Sequence, residues 1–145
     1  MSRVPRVLAL AALLLSAPVA AGPEAGKLAG AAEGKPFSVS VGRLSAKKGE
    51  PATTQVVVTA AKGYHLNKDY PPSLKLTLPA GVSAKKAALT KADAVLGETE
   101  GRFEVVLTSA EAGKKSVSGD LRFAVCTETT CDPQRSAVTI EMDVK

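Results

Sequence analysis

The only two cysteines of this 145-residue chain stand with four residues between them, in Cys126-Thr-Glu-Thr-Thr-Cys131, followed at once by Asp132-Pro133. A disulfide between them closes a ring of about six residues. In the loop-entropy account such a ring constrains the unfolded chain by roughly 2 kcal/mol, against about 4–5 for a long-range bridge. A bond that adds so little to folding is either a local clip or a site of chemistry. That chemistry would be thiol–disulfide exchange, in which a thiolate attacks a disulfide sulfur and the second thiol resolves the adduct. The spacing belongs to none of the specific cysteine motifs, so spacing alone leaves clip and exchange site both open. A third reading, a soft metal ion held by Cys126, Cys131 and the single His65, lacks a fourth ligand at a recognisable spacing. No cofactor-binding motif is visible.

The cysteines close the most strand-like stretch of the chain, Asp120-Leu-Arg-Phe-Ala-Val125. Side chains alternate faces along a strand. Leu121, Phe123 and Val125 therefore share the core face, and Arg122, Ala124 and Cys126 the other. Parity run back from Val138 puts Cys131 on the non-core side as well, unless Pro133 breaks the register. Both thiols are expected outside the main core, at the ends of two strands joined by a tight turn. Glu128 and Asp132 flank them, with Arg122 and Arg135 the nearest cations. Carboxylates disfavour a thiolate, so the pair reads as thiols that stay quiet until a partner docks.

The compartment permits either reading. Arg3 and Arg6, the apolar run Val7–Leu15 and the small residues Ser16–Ala21 read as an export signal over residues 1–21. The apolar run falls short of the roughly 20 residues a bilayer span needs, and no later segment is apolar enough. The mature protein is expected to be exported, not membrane-spanning, and periplasmic, where disulfides persist. About 120 residues remain, enough for one domain with a real core. Without Arg3 and Arg6 the chain carries 17 basic and 14 acidic residues, a weak balance. Trp is absent and aromatics make up 3 %, so there is no stacking platform for nucleic acid.

The elements that position the cysteines read as all-β. Residues 22–36 are Gly- and Ala-rich, a flexible lead. Residues 37–145 form one domain, with candidate strands at Phe37–Leu44, Thr53–Ala60, Ser73–Leu78, Val82–Leu89, Arg102–Ser109, Ser116–Cys126 and Ala137–Val144. Leu74, Leu76 and Leu78 share one face, as do Val138, Ile140, Met142 and Val144. Ala84–Ala94 has room for one helical turn. Short alternating strands with Gly, Pro and Lys between them predict an immunoglobulin-like antiparallel β-sandwich of about seven or eight strands.

The run Leu121-Arg-Phe-Ala-Val-Cys126, four intervening residues, Cys131-x-Pro133 and an alternating last strand resemble the end of the N-terminal periplasmic domain of DsbD-type thiol:disulfide interchange proteins. Gly63-Tyr64-His65-Leu66-Asn67 and the Ala80-Gly81-Val82 turn resemble that domain further upstream, so that the likeness runs from about Phe37 to Val144. It implies an immunoglobulin-like domain that relays electrons between a thioredoxin-like protein, or a membrane electron transporter of the DsbD or CcdA type, and oxidised periplasmic proteins. It implies Cys131 as the thiol that forms the mixed disulfide and Cys126 as its resolver. The family shields its cysteines with an aromatic-bearing cap loop; the matching segment here, Asp93–Gly97, offers Val95 and Leu96. Tyr64, His65, Asn67 and Phe123 are the remaining residues expected near the pair, although His65 read by itself is an ordinary strand-surface histidine. The family's membrane and thioredoxin domains do not follow here, so the donor is expected to be a separate protein.

Overall fold

The computed structural model describes residues 35–145. The export signal and nearly all of the lead lie outside them. Eleven strands and a single 3-10 turn follow in order. They are β1 (Phe37–Val41), β2 (Leu44–Ala46), β3 (Pro51–Ala60), β4 (His65–Leu66), β5 (Ser73–Thr77), β6 (Val82–Ala84), β7 (Ala88–Leu89), β8 (Ala94–Leu96), β9 (Glu100–Ser109), β10 (Gly113–Cys126) and β11 (Cys131–Val144). The turn, Lys91–Asp93, falls in the segment where one helical turn is expected.

Two sheets pack face to face. One has the order β1-β3-β9-β6 with β8 beside β9, and the other β2-β11-β10-β5-β7 with β4 beside β10. All pairings are antiparallel except β2 with β11. Val56, Val58, Phe103, Val105 and Leu107 from the first sheet meet Leu74, Leu121, Val138, Ile140 and Met142 from the second in one buried core. Burial of these apolar faces drives the assembly, at roughly 1.5–3 kcal/mol for each large side chain. The chain is an immunoglobulin-like antiparallel β-sandwich, as the alternation predicts.

The strand number exceeds seven or eight because two predicted strands are each divided between the sheets and because the short β4 and β8 are added to them. Phe37–Leu44 breaks at Gly42-Arg43, where β1 leaves β3 and β2 crosses to β11. A side chain at Gly42 would meet Thr54 Oγ1 at 2.8 Å, and that hydroxyl donates to the Gly42 carbonyl. The crossing therefore needs glycine. Val82–Leu89 divides likewise into β6 on β9 and β7 on β5. The Pro79–Val82 turn before it closes with the Val82 N–H on the Pro79 carbonyl, and Gly81 sits at φ 80°. That left-handed position favours glycine.

The segment expected to act as a cap loop is instead strand. β8 pairs with β9, Ala94 against Phe103 and Leu96 against Gly101, and the hairpin turns at Gly97–Glu100. The ready partner edge of β9 makes this short apolar run a strand.

Candidate functional site

β10 and β11 run as one antiparallel ladder of 14 residues each, from Gly113 opposite Val144 to Cys126 opposite Cys131. The register is unbroken, so Pro133 does not shift it. The reason lies in the alternation of antiparallel pairs. The turn closes with the Thr127 N–H on the Thr130 carbonyl at 2.7 Å, making 127–130 a hydrogen-bonded pair. Cys126–Cys131 is then a non-bonded pair, and so is Ala124–Pro133, where the missing proline N–H costs no ladder bond. The Cα separation of 4.0 Å at the cysteines agrees with the closer, non-bonded type of pair.

Cys126 and Cys131 form a disulfide. Its two halves differ in surroundings. Val125 belongs to the core, while Cys126, on the opposite face of β10, stays outside the core cluster. Cys126 is nevertheless only 3 % exposed, so lying off the core does not put it at the surface. At this end β10 is an interior strand, with β4 on one side and β11 on the other, so even its outward face is covered. Cys131 is exposed. β2 accompanies β11 only over Met142–Val144, and the Cys131 end has no such neighbour from β2.

On its other side Cys126 lies directly opposite His65 of β4. His65, Cys126 and Cys131 thus occupy one rung across three strands, and directly opposed residues present their side chains on the same face. His65 is half-buried. The end of β4 is anchored to two neighbours. The Leu66 N–H donates to the Glu98 carbonyl at the tip of the β8–β9 hairpin (2.7 Å), and the Asn67 N–H to the Ala124 carbonyl (2.9 Å).

The other expected site residues do not share the cysteine rung, although Asn67, Leu96 and Phe123 line one small cavity. The Asn67 carboxamide oxygen accepts the N–H groups of Asp69 and Tyr70, so that side chain shapes the loop leading to β5. Tyr64 packs on the core, not beside the cysteines. Phe123 is buried there too, edge-on to Phe37 with ring centroids 4.7 Å apart. Val95 is 63 % exposed and paired with Arg102 of the first sheet, while the cysteines lie on the outward face of the second. Leu96 turns inward, lining a small cavity with Leu66, Phe103, Phe123 and Ala124. The aliphatic shield expected from Val95 and Leu96 is therefore not formed, because alternation in β8 sends one outward and the other inward.

No family model matches the chain, and no curated protein matches it. Solved structures match it at low identity. The major subunit AggA of the Escherichia coli aggregative adherence fimbriae type I is 12 % identical, over 76 % of this chain and 95 % of that one, with a TM-score of 0.43. A non-cellulosomal cohesin from Archaeoglobus fulgidus is 10 % identical, over 77 % and 92 %, with a TM-score of 0.44. A lipoprotein from Bacteroides thetaiotaomicron is 18 % identical, over 73 % and 79 %, with a TM-score of 0.40. The likeness is one of general fold.

The electrostatics set the rung apart. Arg122 and Arg135 oppose each other on the outward face, and both bind Asp120, at 3.3 and 2.6 Å. The hydrogen bond from Arg135, with Arg122 adding to it, holds the Asp120 carboxyl below its ordinary value, and Asp120 in turn raises Arg135. Arg122 is four residues from Cys126, about 13 Å along the strand, so neither guanidinium serves the sulfurs. A cavity of about 440 Å³ between Arg43, Lys114, Lys115, Glu141 and Asp143 lies at the far end of the ladder. Among the described residues no group of three His, Cys, Asp or Glu side chains is arranged to hold a metal ion, and no helix is long and apolar enough to cross a membrane.

Thr127 is a residue that the sequence reading passes over. Its hydroxyl accepts the N–H groups of Thr129 and Thr130 at 3.4 and 3.1 Å and braces the turn between the cysteines. The signal was there in Thr-x-Thr-Thr, since threonine hydroxyls commonly cap the backbone two or three residues on.

Proposed function

We propose that this disulfide-bonded β-sandwich is an exported thiol–disulfide exchange module. In this reading Cys131 is the sulfur that partners attack, and Cys126 is its resolver. The observation that carries it is the asymmetry of one bond: a buried sulfur on an interior strand joined to an exposed sulfur at a ladder end, both outside the core cluster. An attacking thiolate needs access to one sulfur only. The reading extends to a periplasmic location, a thioredoxin-like protein or membrane transporter on one side, and oxidised exported proteins on the other. Equilibration of the purified chain with thioredoxin or glutathione couples, followed by alkylation of free thiols, tests it. An exchange site titrates near the potentials of those couples, with the fold retained in the reduced form. A bond that resists reduction to below about −300 mV, or whose reduction unfolds the chain, contradicts it.

A second reading has its own support. The cysteines are directly opposed on a ladder whose register is continuous over 14 residues of each strand, which is also the geometry of an inert hairpin clip. The chain is then a non-enzymatic binding or scaffold module, a role of the kind that the fimbrial and cohesin names indicate for those proteins. The same titration separates the two, because a clip stays oxidised where an exchange site is reduced.

A further inference from the structure

We propose that His65 is the acid–base group of the exchange step, giving a proton to the Cys126 sulfur as the disulfide opens and taking it back as it closes; this rests on the exchange reading above. The rung places His65 next to Cys126 on one side, with Cys131 on the other. Side chains at directly opposed positions stand about 4.5–5.5 Å apart at Cβ, within reach of an imidazole. His65 is the one histidine of the chain.

The need for such a group follows from burial. When an incoming thiolate attacks Cys131 Sγ, a new sulfur–sulfur bond forms to the partner and the bond from Cys131 to Cys126 breaks. The electron pair goes to Cys126 Sγ. A thiolate left at a site 3 % exposed is disfavoured unless a cation or a proton meets it. Arg122 and Arg135 are engaged by Asp120 and are rungs away. The other charged groups on the surrounding elements are Glu98 and Glu100 at the β8–β9 hairpin tip, Glu128 in the cysteine turn, Asp132 opposite Val125, and Lys62 and Lys68 flanking β4. None of them shares the rung. An imidazolium at His65 transfers its proton to Cys126 Sγ and becomes neutral imidazole. The partner's second thiolate then attacks the partner sulfur of the mixed disulfide and releases Cys131 as thiolate. The partner dithiol is oxidised by two electrons, and this chain is reduced by two. In the reverse direction the neutral imidazole removes the Cys126 proton as the bond re-forms.

The test measures the rate at which reduced thioredoxin opens the disulfide in the full chain, from about pH 5 to pH 9, corrected for the thiolate fraction of the reductant. Wild type, His65→Gln and His65→Ala are compared, each first shown to melt as wild type does. The expected result is a loss on the order of 10-fold or more in H65Q, a flatter pH profile than wild type, and partial recovery of H65A on adding imidazole. Thiolate-corrected rates and pH profiles that are the same in wild type and H65Q overturn the assignment while leaving the exchange reading standing. A wild-type disulfide that thioredoxin does not open overturns both. If H65Q and H65A do not fold, His65→Asn, which keeps a polar side chain of similar reach, reads the same profile.

Discussion

The two ends of the β10–β11 ladder follow one register but rest on different supports. Toward Gly113 and Val144, β2 flanks β11, β5 flanks β10 from Ser118 to Arg122, and Val117, Ile140, Met142 and Val144 are buried between the sheets. Toward Cys126 and Cys131, the flanks are the two-residue β4 and a β11 edge that β2 does not reach. Covalent closure therefore joins the buried end of β10 to the exposed end of β11, yet a register slip of one residue would turn Val138, Ile140, Met142 and Val144 out of the core. Packing at one end sets the pairing that the disulfide then meets at the other. The proposed exchange requires this, since a disulfide that does not define the register can be reduced without loss of the pairing.

That contrast can be broken at either end. Leu121→Ala, or Ile140→Ala, removes a side chain with no exposure and is expected to cost about 3 kcal/mol, read as a fall in the denaturant midpoint. A core substitution that costs less than removing the cysteines would reverse the assignment of supports. Cys126→Ala together with Cys131→Ala is expected to lower stability by about 2 kcal/mol or less, with the sheet signature in circular dichroism unchanged. Loss of the fold in that double variant would show that the disulfide, not the core, holds the ladder. Thr127→Ala removes the brace of the cysteine turn. Its expected cost is about 0.5–1 kcal/mol, with faster hydrogen exchange confined to the turn and adjoining strand ends.

The smallest effect concerns Asp120, which lies between the two ends. Its carboxyl is depressed in the fold from an ordinary value of 3.8. A group of this kind contributes stability that is present above its unfolded value and lost as pH falls through its folded value. Asp120→Asn is therefore expected to lower Tm slightly at neutral pH, leaving Arg122 and Arg135 opposed without their shared anion. The difference from wild type should vanish in strong acid and shrink in high salt. A difference that grows on acidification would contradict the sign.

The same contrast explains what could be read from the sequence. Leu74 and Leu76, Leu121 through Val125, and Val138 through Val144 declare their faces because one side of each strand is buried and the period is two. The sheet crossings at Gly42 and after Ala84 leave no such mark, since which sheet a short strand joins depends on partners far along the chain. Cys126 was legible as off-core but not as buried, because its cover comes from β4, about 60 residues earlier in sequence. His65 became a neighbour of the cysteines only through that same long-range pairing. The Val95–Leu96 segment reads as an apolar loop in the sequence, because a three-residue strand shows itself only through the partner edge of β9.

The most direct test is a comparison of two single-cysteine variants in an oxidising compartment, each probed for a covalent adduct with a thioredoxin-like partner. Cys126→Ala leaves the exposed Cys131 thiol and is expected to accumulate a mixed disulfide. Cys131→Ala leaves the buried Cys126 and is expected to yield little. Adducts from neither variant, or from Cys131→Ala as readily as from Cys126→Ala, would contradict the claim that one sulfur of this disulfide is held open to partners while the other is held back.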